Sequence, residues 1–414
     1  MLFHVSSITL NEASAGRVAA EGCERTIPPL DSDEVAVAAT RTPRGLLSRS
    51  ARVLLLLASM AAFARAEQNG EAVYGGFAFA GNAGDLAANY PYSSKLDRPG
   101  GAETSLFEVS LGRFFREKPE TVSGVRVKFG VIQKEDPTPV LALAMTDEKV
   151  LQETLGGLHK LVVQLGFELL TLDFREMQVV SSIPIYLELI DAQKQEFTES
   201  DITSRIANMV TGKDSQLEVA LTGKMQKIRI RSKNVSTLQI SSVKVGDKAL
   251  PFLPELLRQK PAIFAQSVAQ QFGSLLCAQA GVALLPYARD GLNSRMALRF
   301  SDASSMQFKI PSPTFAVALD VKGFKKVMDK KTDAESLWVY GAYLGIKVYE
   351  PEFNQVYLET TAKYPVAKVV PASQLTVDEF PVASEALKGA FLTGIELIQK
   401  DKNTSEKVLN KCRL

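Results

Sequence analysis

Histidine, cysteine and tryptophan are scarce in this chain, which has two, three and one of them in 414 residues. The scarcity excludes several chemistries at once. A structural zinc site takes four nitrogen or sulfur ligands, and beyond residue 66 the chain offers only His159, Cys277 and Cys412. No metal site and no cofactor is therefore expected. A Ser-His-Asp or Cys-His mechanism would rest on His159 alone, and a histidine just after Gly156-Gly157 reads as a solvated turn residue. One-signed charge is lacking too: 48 basic against 46 acidic residues leave a formal charge of +2, which excludes a chain-wide nucleic-acid footprint.

Long apolar runs and nucleotide motifs are also missing. The most apolar stretch, Val53 to Phe63, is too short for a helix to cross a bilayer. Gly-x-Ser-x-Gly, His-Glu-x-x-His and EF-hand patterns do not occur, and neither Thr211-Gly212-Lys213 nor Thr222-Gly223-Lys224 has the earlier glycine of a P-loop. Ser241-x-x-Lys244 matches a nucleophile motif literally but lacks its partner motifs. No catalytic residue is assigned. Carboxylate pairs need no sequence adjacency, so a carboxylate-dependent hydrolase stays open.

What is present begins with a targeting pattern. Arg41, Arg44, Arg49 and Arg52 precede the Val53 to Phe63 run, and Ala64-Arg65-Ala66 follows with small residues at the spacing of a signal-peptidase site. Residues 45–66 are read as a signal peptide cleaved after Ala66, and 1–44 as an unstructured leader, or as untranslated sequence if synthesis starts nearer Leu46. The protein is thus expected in the periplasm or outside the cell, with no stable transmembrane anchor after cleavage. Cys277 and Cys412 are then the two mature cysteines, and an oxidising compartment permits a disulfide between them; two buried or loose thiols are the alternative.

Residues 67–104 are rich in Gly, Ala, Ser and Asn and read as a flexible segment. Beyond them one stretch organises the chain. Leu161, Val163, Leu165, Phe167 and Leu169 occupy every second position, and Val179, Ile183, Ile185, Leu187 and Leu189 do so on the return limb. That spacing predicts a long β-hairpin with one buried and one wetter face. Pro184 in the second limb points to an edge strand or a bulge.

The hairpin recurs. Leu165-Gly166-Phe167 and Phe174 return as Leu344-Gly345-Ile346 and Phe353, both at an offset of 179 residues. Pro137-Thr138 with Ala142-Leu143 returns at 176 as Pro313-Thr314 with Ala318-Leu319, and Phe197 returns at 183 as Phe380. Several matches in one order predict a diverged tandem duplication: two related α+β domains, 105–250 and 251–414, each a mainly antiparallel sheet with a long hairpin and flanking helices. Helices are expected over 105–117 behind Ser105, over 147–155, over 198–210 behind Thr198, over 261–280 between Pro261 and Gly281, and over 381–398. Residues 217–245 read as strand.

Lys227, Arg229, Arg231 and Lys233 alternate with Ile228 and Ile230, so a strand there lines four positive charges on one face. It is either a solvated outer face or a docking stripe for an anionic partner or envelope surface. Lys322, Lys325, Lys326, Lys330 and Lys331 form a second basic cluster, expected on a helix or loop. Hairpins with flanking helices resemble bacterial envelope-assembly and secretion-accessory domains. The reading is a non-enzymatic exported protein acting through protein or envelope contacts. A secreted carboxylate-dependent hydrolase and a small-molecule binder at the inter-domain cleft are the alternatives. Mass spectrometry of the protein from its native host should return Glu67 as the first residue; an N-terminus upstream of Arg52 would remove the signal peptide.

Overall fold

The computed structural model describes residues 70–81, 83–102, 104–118, 125–132, 138–155, 157–225, 236–287, 294–374 and 377–413. The leader, the expected signal peptide and the Lys227 to Lys233 stripe lie outside these residues. Alternating apolar residues build the first half. Its elements are β1 (Gly70–Ala80), α1 (Leu106–Glu117), β2 (Val125–Lys128), β3 (Val140–Leu155), β4 (Leu158–Asp173), β5 (Gln178–Gln193), α2 (Glu199–Val210) and α3 (Gln216–Met225). The second half runs β6 (Leu238–Lys248), α4 (Pro261–Ala280), β7 (Leu284–Leu285), β8 (Arg295–Phe300), β9 (Ser305–Lys309), β10 (Phe315–Lys331), β11 (Glu335–Glu350), β12 (Gln355–Pro371) and α5 (Phe380–Lys400).

The expected hairpin is β4 and β5, in register with Leu165 opposite Leu187 and Phe167 opposite Ile185. Its turn is held by the Asp173 carboxylate, whose Oδ1 accepts from the backbone N–H of Arg175 and of Glu176, each at 3.0 Å. The recurrence is β11 and β12, with Leu344 opposite Ala362. One expectation about the hairpin fails: β4 is buried on both faces from Leu161 to Asp173, because material covers each side. On β3, Leu141, Leu143 and Met145 enter a core shared with the helices, while Val140, Ala142 and Ala144 enter a second core with Leu170, Leu172 and Phe308.

All twelve strands form one sheet, ordered β12-β11-β10-β6-β7-β5-β4-β3-β1-β8-β9, with β2 on β1. The sheet is mixed, which corrects the mainly antiparallel expectation. β1 lies parallel to β3 and β6 parallel to β10, because in each half a helix carries the chain back across the sheet before the next long strand starts, and such crossovers deliver parallel neighbours. Each half then adds an antiparallel meander, β3-β4-β5 or β10-β11-β12, and a helix. The first meander is closed into a ring by two short strands of the second half. β8 pairs with β1 and β9 pairs with both β8 and β5, so β5, β4, β3, β1, β8 and β9 form a ring around the second core.

Local signals placed the helices well. Ser105 accepts from Glu108 N–H at the start of α1, Thr198 and Asp201 form a capping box on α2, and α4 has Pro261 at its first turn and Gly281 at φ 63° after its last. Elsewhere pairing overrode propensity. Asp147 to Leu155, expected as helix, continues β3 because β4 offers a partner for the whole length, Val150 opposite Val163. Gln216–Met225, expected as strand, is α3. The basic cluster Lys322 to Lys331 lies on β10.

Gly70–Ala80, expected within a flexible segment, is a central strand, and its glycines are required there: a Cβ on Gly75 would come within 2.4 Å of Val140 Cγ1. Pro184 sits where β5 lacks a continuous second neighbour, since β7 pairs only at Ser182. Cys277 and Cys412 are both buried thiols, not a disulfide. Within the second half, Phe272 of α4 and Phe391 of α5 pack edge to face at 5.8 Å, each ring fully buried. Phe272→Ala should cost about 3–5 kcal/mol in chemical denaturation; a loss under about 1 kcal/mol would show that this contact is not part of the stabilising core.

Candidate functional site

A cleft of about 590 Å³ opens where one end of the strand ring meets α4. Its walls come from positions far apart in the chain: Ala80 and Tyr90, Thr146 to Lys149 of β3, Glu168 of β4, Gln266 and Gln270 of α4, and Ser294 to Ala297 around the start of β8. A shift of register in β3 between Met145 and Asp147 builds its floor. Asp147, Glu148 and Lys149 are consecutive and all buried, an arrangement that demands partners.

Each of the three has them. Asp147 forms an ion pair with Lys149, whose ammonium also donates to Ser267 Oγ of α4 at 2.6 Å. Glu148 accepts from the backbone N–H of Tyr92 and of Ser93, at 2.9 and 2.8 Å. Burial nevertheless holds its carboxyl above the usual range, against those hydrogen bonds. Tyr90 places its hydroxyl 2.7 Å from the Ala80 carbonyl and 2.9 Å from that of Met145, tying β1 to β3. Gln270 donates to Thr146 Oγ1 at 2.7 Å and lays its amide over Gly166, where a Cβ would come 2.2 Å from Oε1. Gly166 is therefore glycine to admit Gln270.

Glu168 differs from these. It is 4% exposed and receives one hydrogen bond, 2.9 Å from the Ser182 hydroxyl. Burial pushes its carboxyl up to about 7, and the Ser182 bond only partly opposes the shift. No side chain cation pairs with it among the described residues.

The residues singled out from sequence do not converge here. His159 lies at the β3–β4 turn with Nδ1 3.3 Å from Thr154 Oγ1. Ser241 of β6 bonds the Val317 carbonyl at 3.3 Å and receives the Tyr349 hydroxyl at 3.2 Å, a structural role. The Cys277 thiol is pushed up to about 12 by burial and lies inside α4. In β10, Lys326 pairs with Glu379 and lies 4.3 Å over the Trp338 ring, and Lys322 donates to Thr361 Oγ1 at 2.8 Å. What the pattern reading passed over is the pair Gln164 and Glu168, the polar interruptions in the apolar run from Leu161 to Leu170. Among the described residues no group of His, Cys, Asp and Glu could hold a metal ion, and no helix is long and apolar enough to cross a membrane.

No family model matches the chain, and no curated protein matches it. Among solved structures it is similar to a neuraminyllactose-binding hemagglutinin homolog from Helicobacter pylori, at 11% identity over 44% of this chain and 90% of that one, with a TM-score of 0.24. It is also similar to protein XCC0632 from Xanthomonas campestris, of family DUF330, at 12% identity over 44% of this chain and 93% of that one, with a TM-score of 0.20. Likenesses this weak carry no argument about what the chain binds.

The geometry does set a pH response. A carboxyl with a folded pKa near 7 and an ordinary value of 4.5 is favoured while protonated. Its stability contribution is therefore greatest below pH 4.5 and falls as pH rises to about 7, by about 3 kcal/mol at most. Glu168→Gln keeps an acceptor for Ser182 and cannot ionise. It should raise stability at pH 8 relative to wild type and leave the two proteins equal near pH 4; equal denaturation midpoints at both pH values would refute the shift.

Proposed function

We propose that the protein is exported, matures by cleavage after Ala66, and acts without catalysis as a binding or assembly protein in contact with a protein of the cell envelope. One observation carries this reading. β12 is a 17-residue strand at the outer edge of the sheet, paired along its whole length with β11 and on its other side with nothing among the described residues. An unpaired edge is a template for a further strand from a partner. Pro365 interrupts the row of donors, leaving Gln355 to Tyr364 as the continuous part. Apolar side chains stand exposed beside it, Phe353 at 68% in the β11–β12 turn and Val356 at 43%.

The acids of the cleft weigh against the hydrolase alternative. Glycoside chemistry needs two carboxyl groups available to substrate. Among the described acids of the cleft, Asp147 is engaged by Lys149 and Glu148 by two backbone donors, while Glu168 receives a single hydrogen bond.

The order of elements supports the finer reading of ancestry. Strand, helix, three-strand meander and helix follow one another in both halves, with the first strand parallel to the first of the meander each time. We read this as a tandem duplication whose copies, bounded at 105–250 and 251–414 in the sequence reading but opening with β1 and β6 in the order of elements, merged into one sheet; profiles of close relatives in which the halves show no mutual similarity would argue against it. The Lys227, Arg229, Arg231 and Lys233 stripe is proposed as a second contact for an anionic surface.

The edge is tested directly. Phe353→Ser with Val356→Lys alters exposed side chains and should change stability by no more than about 0.5 kcal/mol. Recovery of the native envelope partner by co-purification should fall at least tenfold. Unchanged recovery would remove β12 from the function.

A further inference from the structure

The cleft holds a carboxyl group, Glu168, that no cation answers among the described residues. Glu168 lines it with a single described donor, Ser182. Neighbouring ammonium groups are engaged elsewhere: Lys149 with Asp147 and Ser267, and Lys224 with the carbonyls of Pro184 and Ser274. Arg295 lines the same cleft but is exposed at its rim and forms no ion pair with Glu168. Two more buried oxygens of the lining have no hydrogen-bond partner among the described residues, Oε1 of Gln270, a residue 3% exposed, and Oγ of Ser294. A buried carboxylate without a counter-charge is strongly disfavoured, and unpartnered buried acceptors are uncommon in native interiors. Ile263, Met296 and Ile310 give the cleft an apolar wall, and its volume falls in the range of small-molecule sites, about 300–1,000 Å³.

We propose that this cleft binds a small organic molecule through a protonated amine, with Glu168 as counter-charge, Gln270 and Ser294 as further acceptors, and the apolar body of the ligand against Ile263, Met296 and Ile310. The ammonium group contributes the positive charge and the N–H donors that these residues lack. An alcohol of equal shape fills the same wall without answering the charge. A carboxylate is repelled by Glu168 and by its neighbours Asp147 and Glu148.

The groups facing Glu168 are Asp147, Glu148 and Lys149 from β3, Tyr90 from the segment after β1, Cys277 from α4 and Arg295 from β8. Burial holds Tyr90 and Cys277 in their neutral forms. Glu168, with its carboxyl near 7, ionises across neutrality, and Lys224 of α3, which burial lowers to about 8, loses its charge at the upper end of the same range, so both changes raise amine affinity with pH. The site is independent of the β12 edge and stands or falls separately.

The test is isothermal titration of the full chain with phenethylamine, 2-phenylethanol and phenylacetate at pH 6, 7 and 8. Phenethylamine should bind at least tenfold more tightly than the alcohol at pH 8 and gain roughly tenfold between pH 6 and 8, as the ionised fraction of Glu168 rises. Phenylacetate should bind more weakly than either. Glu168→Gln should bring amine and alcohol to the same affinity and abolish the pH dependence. Ala297→Trp, which narrows the cleft and leaves the carboxyl in place, should abolish binding of all three and serves if Glu168→Gln fails to fold. The proposal is overturned if the amine binds no better than the alcohol, if Glu168→Gln binds the amine unchanged, or if Ala297→Trp leaves binding intact.

Discussion

The structure depends on burial of both faces of β4 from Leu161 to Asp173, and of the stretches of β3 and of β5, Ser181 to Ile185, that flank it. One face meets the helices, the other closes the core inside the strand ring. Fully buried apolar side chains each contribute about 1.5–3 kcal/mol relative to exposure, so strands with two covered faces dominate the stability of their half. The same condition is strict about polar groups. Every polar residue on these strands must find a partner inside the protein, and Gln164, Glu168, Asp147 and Lys149 are met by Glu188, Ser182, each other and Ser267. The polar network under α4 is a consequence of the double burial, and the cleft forms where that network reaches the ring's end.

The two halves solve the same problem differently. In the first, β8 and β9 complete the ring, so that edge strands pair and disappear. In the second, the meander ends at β12 and α5 covers one face only, with Ala390, Phe391 and Ile395 buried against the sheet. The outcome is a closed end with charged groups held inside and an open end with apolar groups outside. Those are the physical requirements of a ligand cleft and of a contact surface, and they lie in different halves of one sheet.

Much of the architecture was legible in sequence. The alternation from Leu161 to Leu189 located the central hairpin, because strand pairing is set by period and turn chemistry. Ser105, Thr198, Pro261 and Gly281 marked helix ends, because caps act within a few residues. Failures came where distant partners decided. Residues 147–155 have helical spacing of apolar groups, yet β4 pairs with them throughout. The glycines of β1 read as a loop, although they serve close approach to β3. The candidate site was nearly invisible, since its walls come from eight segments between Ala80 and Ile310, and only the polar residues Gln164 and Glu168 in an apolar run hinted at it.

By itself, the amino-acid order determined which segments alternate or coil, where most helices start and stop, and how little histidine and cysteine the chain carries. These properties follow from interactions within a few positions, or from composition. The single mixed sheet, the ring, the ionisation of Glu168 and the free edge of β12 were decided only by tertiary structure. Each depends on which surface is removed from water when segments more than a hundred residues apart come together, and no local period encodes that.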